Sequence, residues 1–244
     1  MVELKTPNRN QRAARRGQII SPPRWRQPNG IRGLVGWYEA RANKAALDGG
    51  GNVTALENLV TGGQGLQALP DGGGPQYVAA DHDYAGRPSL AWPHTLTRQG
   101  LELAGETAVR EVYCVMQYRD GQQATFADNT TVAADHDGGA DYILVGGGGT
   151  SNLLANAFAV PFELRVNGEL RADYRILPLP VSIVRFTASV DWLIASVGAK
   201  NYGGPRSWQG SIGAVLAFTR NLTEGEDRQV RGWLGQRFGV RDAI

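Results

Sequence analysis

The last quarter of the chain places the strongest constraint on the fold. A β-rich run ends in Gly210–Phe218 and is followed by one capped helix from Leu222 to Phe238. The preceding sequence consists of short extended runs, turns and glycines, and no helical period begins before that helix. This pattern is typical of an antiparallel β-sandwich that closes on a single helix.

The helix is specified at both ends. Thr223 and Glu226 form a Ser/Thr-x-x-Glu capping box, in which each side chain accepts a backbone N–H of the first turn. Gly239 follows the last apolar position and predicts a left-handed C-cap. One apolar stripe at helical spacing is expected to pack on the core. Its residues are Val230, Trp233, Leu234 and Phe238.

The strand pattern predicts an all-β fold. Val109–Tyr118 has apolar residues on both faces, which places it at the centre of a sheet. Asn167-Gly168 between two extended runs predicts a hairpin. We expect a two-sheet antiparallel jelly-roll sandwich with one C-terminal α-helix and an extended N-terminal arm. The other predicted strands are Leu34–Glu39, Ser89–Trp92, Leu101–Leu103, Ala124–Ala127, Tyr142–Val145, Phe162–Val166, Val181–Phe186, Leu193–Val197 and Ile212–Phe218.

Charge divides the chain into two parts. Residues 1–33 hold eight basic residues and one acidic residue, a net charge of +7, with three prolines between Pro22 and Pro28. The remaining 17 basic and 22 acidic residues give residues 34–244 a net charge of −5. The first part has almost no apolar periodicity, so we predict a basic arm over 1–33 and one sandwich domain over 34–244.

The arginines of the arm are the candidate partner-binding residues. Three interpretations remain open: neutralisation of nucleic-acid phosphates, docking onto an acidic protein surface, and a solvated tail. No aromatic residue precedes Trp25, so base stacking has little support and protein docking is favoured. The candidates are Arg9, Arg12, Arg15, Arg16, Arg24 and Arg26.

Several segments resemble a known family. Gly33–Ala40 and Asn52–Leu59 resemble the opening of the concanavalin A-like lectin/glucanase (LamG-type) jelly rolls. Gly210–Phe218 and the helix after it are similar to the closing strand and helix of that family, and Phe162–Gly168 is similar to its Val-Asn-Gly hairpin. The resemblance spans about residues 34–240. The chain departs from the family at Glu39, where Asp is usual, and at Leu56, where Trp is usual.

The resemblance implies a jelly-roll fold but leaves the function open, because this fold carries binding modules, glycoside hydrolases and viral proteins. The variant with a tryptophan-rich start and a terminal helix resembles domains of phage head and tail proteins and of large bacterial surface proteins, and the basic arm favours the phage setting. The first hypothesis is therefore a non-enzymatic bacteriophage virion protein, either capsid decoration, minor capsid or tail-associated. Its arm would contact other virion proteins, and it would be homo-oligomeric or present in many copies. The alternative is a carbohydrate-binding adhesin, with a glycoside hydrolase least favoured.

Catalysis is not expected. The Glu-x-Asp-x-x-Glu pattern of the glucanase branch does not occur in the sequence. The nearest acidic cluster, at residues 224–227, lies in the first turn of the helix, where carboxylates complement the helix dipole. The lone Cys114 lies in a predicted strand and is expected to be a buried, inert thiol.

Two further sets of residues carry binding hypotheses. Trp92, Tyr202 and Trp208 would stack on a sugar ring if they were exposed, whereas core packing is the ordinary role of such residues. Trp37, Trp192 and Trp233 are expected in the core.

An exact repeat is the other candidate. Val-Ala-Ala-Asp-His-Asp occurs at 78–83 and again at 132–137. Oxygen ligands at Asp135, Asp137 and Asp141 would suit Ca²⁺, whereas solvated acids at the end of a strand are the favoured interpretation. No cofactor is therefore predicted. No apolar run reaches the roughly 20 residues of a bilayer span, and the N-terminus lacks the apolar core of a secretory signal.

Overall fold

The structure is a computed structural model of the chain. It describes residues 25–70, 72–92, 99–118, 162–172, 179–198 and 207–241, together with the backbone of three short strands between 130 and 146. Described segments form fourteen strands and one α-helix, and the prediction of an all-β antiparallel sandwich with a C-terminal helix is confirmed. The elements are β1 Leu34–Glu39, β2 Ala45–Leu47, β3 Val53–Leu56, β4 Leu66–Ala68, β5 Gln76–Asp81, β6 Arg87–Ala91, β7 Leu101–Tyr118, β8 Thr130–Thr131, β9 Ala133–Ala134, β10 Val145–Gly146, β11 Phe162–Val166, β12 Glu169–Leu170, β13 Leu179–Val197, β14 Gly210–Phe218 and α1 Glu224–Phe238.

Two long strands hold the sheet together. β7 has 18 residues and β13 has 19, and they pair antiparallel along most of their length. The main path runs β12-β11-β13-β7-β14-β6-β5, and β1 also pairs with β14. β4 pairs with the beginning of β7, and β3 and β2 follow it. The second half of β7 pairs with β14 and with the first half of β13, whereas its first half pairs with β4 and with the second half of β13. β7 and β13 therefore run through both layers of the sandwich, and the two layers are parts of one continuous sheet.

Side-chain alternation along β7 creates two cores. Val112 and Cys114 point into the core between the two layers, where Leu56 and Leu103 of the other layer also lie. The opposite face of the same strand segment buries residues such as Tyr113 beneath α1. The predicted central position of this strand is confirmed. Burial also raises the pKa of the Cys114 thiol, as expected for an inert cysteine.

The helix follows its sequence signals. Thr223 is the N-cap, and the reciprocal capping box with Glu226 is present. Gly239 has φ 72°, the predicted left-handed C-cap. The apolar stripe is buried against the sheet, as predicted; its members are Val230, Trp233, Leu234 and Phe238.

The predicted hairpin is also present. Asn167 and Gly168 join β11 to β12 with φ values of 52° and 90°, as a type I′ turn requires. Ile183 N donates to Asn167 Oδ1 at 2.8 Å, which ties the turn to β13. A Cβ on Gly168 would lie 2.8 Å from an Arg231 nitrogen, so the turn packs closely on the helix.

Residues 25–33 also pack on the helix. Trp25 lies against Gly232 of α1, and Pro28 and Ile31 are buried. Arg220 Nε donates to the carbonyl oxygen of Arg32 at 3.0 Å. This part of the predicted arm is therefore seated on the body, and residues 1–24 lie outside the described residues.

The sequence predictions divided each long strand into two. Leu101–Leu103 and Val109–Tyr118 were separate predictions, but they are one strand because the polar stretch between them stays extended. Glu106 in that stretch points outward, as Glu102 does before it, while Leu101 and Leu103 point inward. A half-exposed strand segment with glycine at its centre resembles a turn when only the sequence is considered.

None of the helices in the described residues is long and apolar enough to cross a bilayer.

Two of the helix glycines, Gly232 and Gly225, should respond oppositely to substitution by alanine. A Cβ at Gly232 would overlap the Trp25 indole, so Gly232→Ala should lower the free energy of unfolding by about 1–3 kcal/mol. A Cβ at Gly225 meets nothing within 4 Å, so Gly225→Ala should raise it by about 0.5–1 kcal/mol. Urea denaturation measures both changes. Equal effects of the two substitutions would show that Trp25 does not occupy the Gly232 notch.

Candidate functional site: the helix face and its charged groups

A buried carboxylate lies at the centre of the helix face. Glu111 of β7 is fully buried, and its Oε1 accepts hydrogen bonds from the Tyr113 hydroxyl at 2.5 Å and Arg185 Nε at 2.9 Å. Its Oε2 accepts from the backbone N–H of Leu222 at 2.9 Å. A single side chain thus connects β7, β13 and the start of the helix. All these partners compensate for burying its charge.

Asp227 completes this network from the helix. Its carboxylate accepts from Arg231 at 2.9 Å and lies 3.5 Å from Arg185. Burial alone would raise the pKa of Asp227, but the hydrogen bonds from Arg231 and the charge of Arg185 outweigh it and lower the pKa. The Tyr113 hydroxyl lies 2.8 Å from the same carboxylate. Burial, followed by the neighbouring Glu111 charge, raises the pKa of Tyr113.

The chemistry of the network is structural. The pKa of Tyr113 is raised, and its hydroxyl donates a hydrogen bond within the protein. The carboxylates of Glu111 and Asp227 already accept hydrogen bonds from arginine. Glu111 has no exposed surface through which a substrate could reach it. The sequence signal for this network was a charged residue within an apolar strand, but its partners come from distant segments.

A second buried carboxylate lies near the end of the helix. Glu39 of β1 is 1% exposed and pairs with Arg41 at 2.7 Å and with Arg237 of α1. The rings of Trp37 and Trp233 meet edge to face, with centroids 5.2 Å apart. Arg41 lies over Trp37, with its guanidinium carbon 5.4 Å from the ring centroid. The predicted core positions of these tryptophans are confirmed, and this cluster fixes β1 to the helix.

A small set of arginine side chains has no partner among the described residues. Most described arginines form an ion pair with a carboxylate, including Arg185, Arg231 and Arg237. Those with neither an ion pair nor a side-chain hydrogen bond among the described residues are exposed: Arg26, Arg32, Arg87 and Arg241.

Two of these free arginines belong to the segment seated on the helix. Arg26 and Arg32 lie on either side of buried Pro28 and Ile31, so the backbone that carries them is fixed. Arg26 is one of the predicted partner-binding residues. The other predicted arginines, Arg9, Arg12, Arg15, Arg16 and Arg24, lie outside the described residues.

The structure corrects two of the predicted glycan-binding residues. Trp92 and Trp208 are both 0% exposed. The Trp92 indole donates to the Gln99 carbonyl at 2.9 Å, and the Trp208 indole donates to the Gln117 carbonyl at 3.1 Å. The sugar-stacking hypothesis required exposed rings, but core packing and satisfied N–H groups make both residues structural. Tyr202 lies outside the described residues.

The acidic repeat is described only in its first copy. Asp81 ends β5, and its carboxylate accepts the backbone N–H of Asp83 at 3.0 Å and the Ser89 hydroxyl at 2.6 Å. The described residues contain no group of three or more metal-ligating side chains. Asp135, Asp137 and Asp141 of the second copy lie outside them.

A groove of about 400 Å³ runs along the loop from Glu57 to Gly65. Asn58 holds this loop to β1, since its Oδ1 accepts from Trp37 N at 3.0 Å and its Nδ2 donates to the Val35 carbonyl at 2.9 Å. Glu57 is the only carboxylate among the described lining residues, and it pairs with Lys44. The paired carboxylates that glycosidase chemistry needs are therefore not found in the described part of this groove.

Comparison of the chain with protein-family models, with curated proteins and with solved structures gives no match.

Acid should destabilise the helix cap in a defined pH range. Hydrogen bonds from the Arg220 side chain and from the backbone N–H of Thr223 lower the pKa of Glu226 from its ordinary 4.5 to about 2. A lowered pKa in the folded state gives stability that is fully present above pH 4.5 and is lost as the pH falls to about 2. Glu226→Gln should therefore lower the melting temperature at neutral pH, and the difference from the wild type should shrink towards pH 2.

Glu224→Gln is the matched control, because this carboxylate lies in the same helical turn but is 84% exposed. We expect a change of less than about 0.5 kcal/mol for this control. A Glu226→Gln deficit that stayed constant between neutral and acid pH would contradict the assignment.

Proposed function

We propose that this chain is a non-enzymatic structural protein of a bacteriophage virion. A β-sandwich forms its body, and the basic N-terminal arm docks onto neighbouring virion proteins. The proposal includes a multi-copy location in the particle as a capsid decoration, minor capsid or tail-associated protein. The resemblance to the LamG-type jelly rolls found in phage head and tail proteins supports the virion setting.

One observation supports docking most directly. Residues 25–33 are fixed on the helix, while Arg26 and Arg32 of this segment stay exposed and unpaired within the described residues. The same segment is the last part of the arm, and residues 1–33 together carry a net charge of +7. A cationic segment attached to a fixed base at residues 25–33 suits a protein that anchors to an acidic surface.

The structure favours a protein partner over a nucleic acid. Trp25 is the first aromatic residue of the chain, and it is partly buried against Gly232. Its ring is therefore engaged within the protein instead of being available to stack on a base. Charge remains the means of recognition, and acidic protein surfaces meet that requirement.

The carbohydrate-binding alternative retains less support. It depended on three aromatic residues, and Trp92 and Trp208 are buried. The third, Tyr202, lies outside the described residues. A glycan-hydrolysing function has no pair of free carboxylates in the described groove.

A deletion series should separate anchoring from folding. Deleting residues 1–24 should leave the melting temperature nearly unchanged, because the described packing begins at Trp25. Deleting residues 1–33 should cost about 3–5 kcal/mol, since it also removes the contacts of Trp25 and Ile31. Thermal denaturation and urea titration measure these differences.

The functional measurement is incorporation into phage particles. The chain lacking 1–24 should fold but be missing from purified particles when it replaces the intact chain during infection, as judged by mass spectrometry of gradient fractions. Normal incorporation of this shortened chain would refute docking through the arm. Absence of the intact chain from particles would refute the virion setting.

A further inference from the structure

The outer side of β7 carries two carboxylates, the half-buried Glu102 and the exposed Glu106. Glu102 and Glu106 of β7 have no ion pair and no side-chain hydrogen bond within the described residues. The other described carboxylates differ, since each is ion-paired or accepts hydrogen bonds. Examples are Asp48, which accepts from Asn52, and Asp81, which accepts from Ser89.

Strand geometry places these two carboxylates on one face. Glu102 and Glu106 are four residues apart in an extended strand, about 13 Å along its axis. The neighbouring inward positions Leu101 and Leu103 are buried in the core between the layers. The carboxylates therefore point away from that core. Ala104 and Ala108 share this outer face and are exposed, whereas Gln67 and the buried Ser196 lie opposite Glu102 on the neighbouring strands.

Two of the free arginines, Arg26 and Arg32, occupy a different outer face. Arg26 and Arg32 belong to the segment packed on α1, and α1 covers the opposite side of the layer that contains the second half of β7. The core between the layers separates this helix-covered layer from the layer that carries Glu102 and Glu106. The unpaired arginines and the unpaired carboxylates thus lie on the two opposite outer surfaces of the sandwich. Among the described residues one copy does not pair them, whereas two copies can pair them with each other.

From this arrangement we propose that the chain self-associates head to tail. Arg26 and Arg32 of one copy pair with Glu102 and Glu106 on the outer strand face of a second copy. The contact is heterologous, because each copy uses different surfaces on its two sides, and so it can extend to further copies. The charge partition supports a second copy as the partner: residues 1–33 carry +7 and residues 34–244 carry −5.

Weak, salt-sensitive association is expected. Each exposed ion pair contributes little free energy, so two of them give a low association constant. The contact is populated mainly when many copies are held close together. Sedimentation velocity of the full purified chain over a concentration series measures it. The weight-average sedimentation coefficient should rise with protein concentration in about 0.1 M NaCl, where the Debye length is about 10 Å. This rise should disappear in about 1 M NaCl, where that length is about 3 Å.

Charge reversal tests the two surfaces. The double substitution Arg26→Glu with Arg32→Glu should weaken association about tenfold or more, because two attractions become repulsions. Glu102→Arg with Glu106→Arg should do the same. The chain that carries all four substitutions should associate again, since the pairs are restored with opposite sign.

The matched control uses the other free arginines. Arg87→Glu with Arg241→Glu changes the net charge by the same amount at exposed, unpaired positions and should leave association unchanged. Circular dichroism melting verifies that each variant is folded, which matters most for Glu102→Arg because Glu102 is half-buried.

Three results would overturn the proposal: a wild-type chain that stays monomeric at all concentrations in 0.1 M NaCl, an equal loss in the control variant, or no recovery in the fourfold variant. The last result would place the partner of the arginines on a different acidic surface. Because this measurement needs no phage particle, its failure is distinguishable from failure of the proposed virion function.

Discussion

The packing of the helix on the sheet depends on the buried carboxylate of Glu111. It accepts hydrogen bonds from Tyr113 on its own strand, from Arg185 on the paired strand and from the first backbone N–H before the helix cap. A carboxylate without these partners would cost several kcal/mol at such a site, so the three elements must assemble together. The apolar core beneath the helix supplies burial energy, whereas this charge network fixes where the helix begins.

The sequence predicted the features that local chemistry determines. The helix from its capping box to Gly239, the strand Leu34–Glu39 and the Asn167-Gly168 hairpin all match the structure. Each depends on residues within a few positions of one another. The joining of the strand segments into two long strands was not predicted, because it depends on pairing between β7 and β13, which are distant in sequence.

The candidate site was predictable in composition but not in detail. Counting charges identified the arginine-rich N-terminal part, yet it could not tell which arginines are neutralised. Arg231 and Arg237 are paired with carboxylates, whereas Arg26 and Arg32 are not. The burial of Trp92 and Trp208 was equally hidden, since their hydrogen-bond acceptors are carbonyls of loops and strand ends. The anchoring of Trp25 required a glycine more than 200 positions away.

The pairing of β1 with β14 has a consequence for biosynthesis. Leu34 of the earliest described strand lies opposite Phe218, close to the final helix. All the residues between Leu34 and Phe218 must therefore be synthesised before β1 and β14 can pair, and until then the apolar surfaces of these strands remain uncovered. Folds that depend on such remote pairings reach the native state slowly and are exposed to misassembly during that delay.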